Sequence, residues 1–159
     1  GSTYSTKVNL MIYYFKQKGL GREVICDILL SKGIEISDRN VDVIYRKINS
    51  LFKLDPDVTF KKAYDDMLEK YNYINLSIDV ITICQTVYLI VYDYFSCDIL
   101  VIKEFNTTKD PNIKEFLLKY INPSLNINLI ASIRKDAYFI PMLKSICPEK
   151  TKFISYQKF

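Results

Sequence analysis

Along residues 5–52 the apolar positions recur with the period of an α-helix, in three runs separated by glycine. In "STKVNLMIYYFKQK" (residues 5–18), Val8, Leu10, Met11, Tyr14 and Phe15 share a stripe, and Gly19 with Gly21 ends the run. From Arg22 to Lys32 the stripe is Val24, Ile25, Ile28 and Leu29, with Gly33 as the C-terminal stop. Ser37 is placed to cap a third helix, whose buried side would be Val41, Ile44, Tyr45, Ile48, Leu51 and Phe52. Three short helices with two glycine stops predict a compact trihelical unit over residues 3–54.

"LDPDVTF" marks a boundary, because Pro56 fits poorly in a helix interior, and Thr59 is the expected cap of a fourth helix, "TFKKAYDDMLEKYNY". "INLSIDVITICQTVYLIVYDYF" is the most apolar stretch of the chain. Its β-branched content suits a strand, but its length of about twenty residues favours a central helix buried on most sides. "CDILVIKEF" reads as a short strand or a further helix. "PNIKEFLLKYI" starts a helix with proline at its first position, and "SLNINLIASIRKDAYFIPMLKSI" supplies one or two more, broken near Pro141. The tail "CPEKTKFISYQKF" reads as irregular. The expected fold is therefore all-α, with seven or eight helices and residues 55–159 forming a bundle around a hydrophobic central helix, either as a second domain or as part of a single one.

Composition narrows the chemistry. Histidine and tryptophan are absent, so the usual general base and the commonest metal ligand are both missing. Cys26, Cys84, Cys97 and Cys147 are far apart, with no Cys-x-x-Cys pair, which predicts reduced, buried thiols in a nuclear or cytoplasmic protein. Asn75 and Asn106 open formal glycosylation sequons, though no signal peptide is visible. Asp79, Gln85 and Asp93 divide the apolar stretch and speak against a membrane span. The net charge is +4, and it is concentrated at one end. Residues 1–54 hold nine Lys and Arg against five Asp and Glu, while residues 55–159 hold thirteen of each, so an anionic partner is expected to meet the first third.

In a helix-turn-helix the first helix supports a second, whose N-terminal turns enter the major groove. The run "GIEISDRNVDVIYRKI" resembles the turn and recognition helix of helix-turn-helix domains such as those of arginine repressors and many transposases, with Gly33, Ile34, Ile36, Ser37 and Val41 at matching positions. With the helix before it, the resemblance covers residues 22–48, about a fifth of the chain; without a β-hairpin wing after Phe52, the nearer comparison is a bare trihelical unit of the homeodomain or Myb kind. Arg39, Asn40, Asp42, Val43, Arg46 and Lys47 lie off the apolar stripe. The resemblance implies that Ser37 caps the recognition helix, that Arg39, Asn40 and Arg46 face bases, and that Lys18, Arg22, Lys32 and Lys47 neutralise phosphates. Asp38 and Asp42 place negative charge on the same helix.

Other chemistry is thin. Tyr13, Tyr14, Phe15, Tyr45, Phe52, Tyr88, Phe95, Phe116 and Phe139 mostly coincide with apolar stripes and read as core. Asp65 and Asp66 diverge on a helix, the Asp55-Pro56-Asp57 triplet lacks further ligands, and no phosphate-binding loop, nucleophile elbow or zinc motif occurs. No enzymatic activity, cofactor or metal is expected. The expected function is a DNA-binding regulatory or chromatin-associated protein whose C-terminal helices bind a partner or form a homodimer. The alternative is a helical protein-interaction module resembling, in size and pattern, the Bcl-2-like inhibitors of host signalling used by large DNA viruses.

Overall fold

The computed structural model describes residues 4–132 and 138–155. The all-α expectation is overturned. The described residues form six helices and a five-stranded mixed sheet, in two compact units, residues 1–53 and 54–159.

The first unit is trihelical: α1 (Thr6–Gln17), α2 (Arg22–Ser31) and α3 (Asp38–Phe52) pack against one another. Ser5 accepts a hydrogen bond from the Val8 amide and Ser37 one from the Asn40 amide, so each cap satisfies an orphan N–H of its helix. Two glycines end α1 and α2 in the same way. Gly33, at φ +80°, donates to the Leu30 carbonyl while Ile34 donates to that of Leu29, and Gly19, at φ +88°, sets up the same pair of bonds from residues 19 and 20. This left-handed closure returns the chain sharply and suits a residue without Cβ. Leu10, Met11, Ile12, Ile25, Leu29, Val41, Ile44 and Ile48 are the unit's buried apolar side chains.

The second unit opens with α4 (Pro56–Tyr71). It is capped by Asp55 rather than Thr59, and Pro56 occupies the first turn, where no amide hydrogen is needed. Thr59 instead donates to the Leu100 carbonyl at 2.7 Å. The stretch expected as a central helix is a hairpin, β1 (Ile74–Ile83) and β2 (Thr86–Asp93), in which Ile83 pairs with Thr86 across Cys84 and Gln85. Both turn residues have positive φ, 52° and 92°, the conformation of the tight turns that match strand twist. The remaining strands are β3 (Ile99–Phe105), β4 (Ile127–Ser132) and β5 (Lys152–Ser155), alternating with α5 (Pro111–Leu118) and α6 (Phe139–Ile146). "CDILVIKEF" therefore resolves as strand, the apolar part of residues 124–132 is strand rather than helix, and the tail expected as irregular contributes β5. Pro141 lies in the first turn of α6. The parts of those expectations that fall on residues 133–137 and 156–159 lie outside the described residues.

Strand order is β3-β2-β1-β4-β5, antiparallel from β3 to β1 and parallel from β1 to β5. On β1 the side chains alternate faces. Ile74, Leu76, Ile78 and Val80 join a core with Phe60, Tyr64 and Met67 of α4, Phe116 of α5 and Phe139 of α6, whereas Asn75, Ser77, Asp79 and Ile81 belong to the opposite face and are also buried. Residues 74–80 alternate apolar and polar, the period of a strand, whereas burial on both faces makes β2 a continuous apolar run from Val87 to Val91. The central apolar helix from which the Bcl-2-like comparison started is the β1–β2 hairpin instead. No helix among the described residues is long and apolar enough to cross a membrane.

Candidate nucleic-acid interface

The surface to which the sequence points is the outer face of α3. Val41, Ile44 and Ile48 turn inward, so helical spacing sends Arg39, Asn40, Val43, Arg46, Lys47 and Ser50 outward, and all six are exposed. Ser37 fixes the N-terminal turn on which Arg39 and Asn40 ride. Arg46 lies back along the helix, its Nε donating to the Asp42 carbonyl at 3.4 Å.

The two acidic residues of α3 do not stand free on this surface. Asp42 receives Arg22 of α2 at 2.9 Å and Lys16 of α1 at 3.2 Å, which ties all three helices to one carboxylate. The hydrogen bond from Arg22, followed by that from Lys16, holds the Asp42 carboxyl below the ordinary aspartate range, and the same bond raises the Arg22 guanidinium. Asp38 accepts from the Cys26 thiol at 3.1 Å. Burial, then this hydrogen bond, pushes that thiol up to about 11.

The eight DNA-binding candidates thus fall into three groups. Arg39, Asn40, Arg46 and Lys47 share the outer face of α3, with Ser37 as its cap. Lys18 and Lys32 are exposed at the C-terminal ends of α1 and α2, with Lys18 above the Tyr14 ring. Arg22 is engaged by Asp42. Lys16 was not singled out from sequence, since its partner is on another helix and no local spacing announces it. The chain from Lys32 to Ser37 that joins α2 to α3 is longer than the three or four residues of a helix-turn-helix turn.

The other candidates are scattered. Asp55 caps α4, Asp57 accepts the Tyr120 hydroxyl at 2.6 Å, and Asp65 pairs with Lys61 along one helix. Cys84 and Cys97 are exposed, contrary to expectation, because both occupy tight turns at positive φ; Cys147 is buried and Cys26 half-buried. Phe139, Tyr88 and Phe116 are buried, the five aromatic residues named on α1 and α3 are half-buried, and Phe95 is exposed. The Asn75 sequon is buried within β1, where the side chain accepts from Asn128. Asp79 lies inside β1 with none of its surface exposed, and it is not without a partner. Among the described residues no three Asp, Glu, Cys or His side chains converge as a metal site requires. No protein-family model matches the chain, and no curated protein matches it.

Proposed function

We propose that the chain binds duplex DNA through the outer face of α3. The observation that carries this reading is the exposed set Arg39, Asn40, Arg46 and Lys47 on a capped helix whose own carboxylates are engaged elsewhere. Guanidinium and ammonium groups neutralise phosphates, while Arg and Asn hold donor and acceptor patterns that match guanine and adenine edges. Lys18 and Lys32 supply further positive charge in the same unit. The test is fluorescence anisotropy of the whole protein with a labelled mixed-sequence duplex at two salt concentrations. Micromolar binding that weakens steeply with salt is expected. Arg39→Ala with Arg46→Ala is expected to weaken binding at least tenfold while the far-ultraviolet circular dichroism stays unchanged; full affinity in that variant overturns the assignment.

The strand layout of the second unit carries a separate reading. A sheet ordered β3-β2-β1-β4-β5, antiparallel in its first three strands and parallel from β1 to β5, has the layout of ribonuclease H-like domains, a layout also found in transposases. This is analogy of fold, not of site. It favours a DNA-binding protein of transposase-like build over a bare transcription regulator, and it gives the C-terminal unit a second reading, action on the phosphodiester backbone, to which the buried carboxylate of Asp79 in the central strand draws attention. A single carboxylate does not make a metal site, so no metal-assisted step is assigned to it. Incubating supercoiled plasmid with the protein and Mg²⁺ or Mn²⁺ decides this reading. Nicking that Asp79→Asn abolishes supports it, and an intact plasmid leaves a binding protein.

A further inference from the structure

We propose that Val43 reads the C5 methyl group of thymine in the major groove, which makes it a specificity-determining residue of the α3 face. The inference rests on the reading of α3 as the duplex-binding helix. Val43 is 43% exposed, one turn after Arg39 and Asn40 and one turn before Arg46 and Lys47, all of them exposed. It contributes nothing to the buried stripe, which Val41, Ile44 and Ile48 supply from the other side of the helix. An apolar side chain ringed by cations is suited to a surface that is anionic at its rims and has an apolar point inside.

The major groove is such a surface. Phosphates line both edges, and of the four bases thymine alone presents a methyl group there, which apolar side chains contact. Charge complementarity holds on this face in particular. Arg39, Arg46 and Lys47 are exposed, Arg46 lying along the helix, while Asp38 receives the Cys26 thiol and Asp42 receives Lys16 and Arg22. Valine is short and stiff at χ1, so its contact requires the helix to be seated well into the groove. From that depth the longer Arg39, Arg46 and Lys47 side chains reach base edges or phosphates.

The experiment uses the whole protein and a duplex site selected by repeated binding from a random library. Each thymine of the site is then replaced singly by uracil, which keeps every base-edge donor and acceptor and removes only the methyl. Wild-type affinity is expected to fall about fourfold at one or two positions, the effect of burying one methyl-sized group. At those positions Val43→Ala is expected to bind the thymine and uracil forms equally, whereas Arg39→Ala, though weaker throughout, keeps the difference. Alanine is at least as good a helix former as valine, so Val43→Ala retains the fold, which circular dichroism checks. A selected site without thymine, uracil substitutions without effect, or sensitivity that persists in Val43→Ala overturns the assignment of Val43 while salt-dependent binding leaves the reading of α3 standing. Absence of salt-dependent binding to any duplex overturns both.

Discussion

Neutralising Asp42 is expected to loosen the trihelical unit, because one carboxylate receives a cation from each of the other two helices. Its pKa in the folded chain is lowered from the ordinary 3.8, chiefly by the hydrogen bond from Arg22. The folded state therefore binds fewer protons in the acid range, and the stabilisation is complete above the ordinary aspartate range and is lost as pH falls through the folded value. Asp42→Asn should lower the thermal midpoint at pH 7, by an amount that shrinks as pH falls below the ordinary aspartate range; equal midpoints at pH 7 would show that the triad contributes nothing. Ser37→Ala removes a cap and should cost about 1 kcal/mol, read by urea titration. At the thiols, a colorimetric reagent under native conditions should modify Cys84 and Cys97 quickly. Cys26 and Cys147, raised to about 11 and about 12 chiefly by burial, should react only on unfolding. What was legible at this scale was local: Ser37 as a cap and Gly33 as a stop follow from positions within one turn. The links from Lys16 and Arg22 to Asp42 were not legible, since they join residues whose proximity exists only after three helices have packed.

Among the elements, α1, α2 and α3 were legible because each keeps one dry side and one wet side. The β1–β2 hairpin was not. The period of two runs through residues 74–80 but lapses from Val80 onward and in β2, which is buried on both faces, and the turn, Cys84-Gln85, carries no glycine, asparagine or proline to interrupt the apolar run. That alternation and the β-branched residues Val80, Ile81, Thr82, Ile83, Thr86 and Val87 were the strand signals, and length outweighed them. The turn yields a direct test. Cys84→Asn with Gln85→Gly installs residues that adopt positive φ readily and should raise the thermal midpoint; an unchanged or lower midpoint would show that the present turn is not strained. Ile78→Ala, in the core facing α4, should cost about 2–5 kcal/mol in the same titration.

For the whole molecule, the amide I infrared band should contain a clear strand component beside the helical one, and a purely helical band would contradict the mixed sheet. The chain divides into two compact units after Lys53, beside the "LDPDVTF" stretch, while the fold of the second unit was hidden by the misread hairpin. Its sheet has a consequence for how the chain is made. The strand at the centre, β1, has one neighbour that follows it immediately and another, β4, that follows only after β2, β3 and α5. As the polypeptide leaves the ribosome, the flank of β1 reserved for β4 waits with its amides and carbonyls unmatched, next to the apolar side chains of a strand destined for the interior. Nascent chains halted between Phe105 and Ile127 should therefore sediment with aggregates or be held by chaperones, and release of that burden should coincide with the emergence of Ser132.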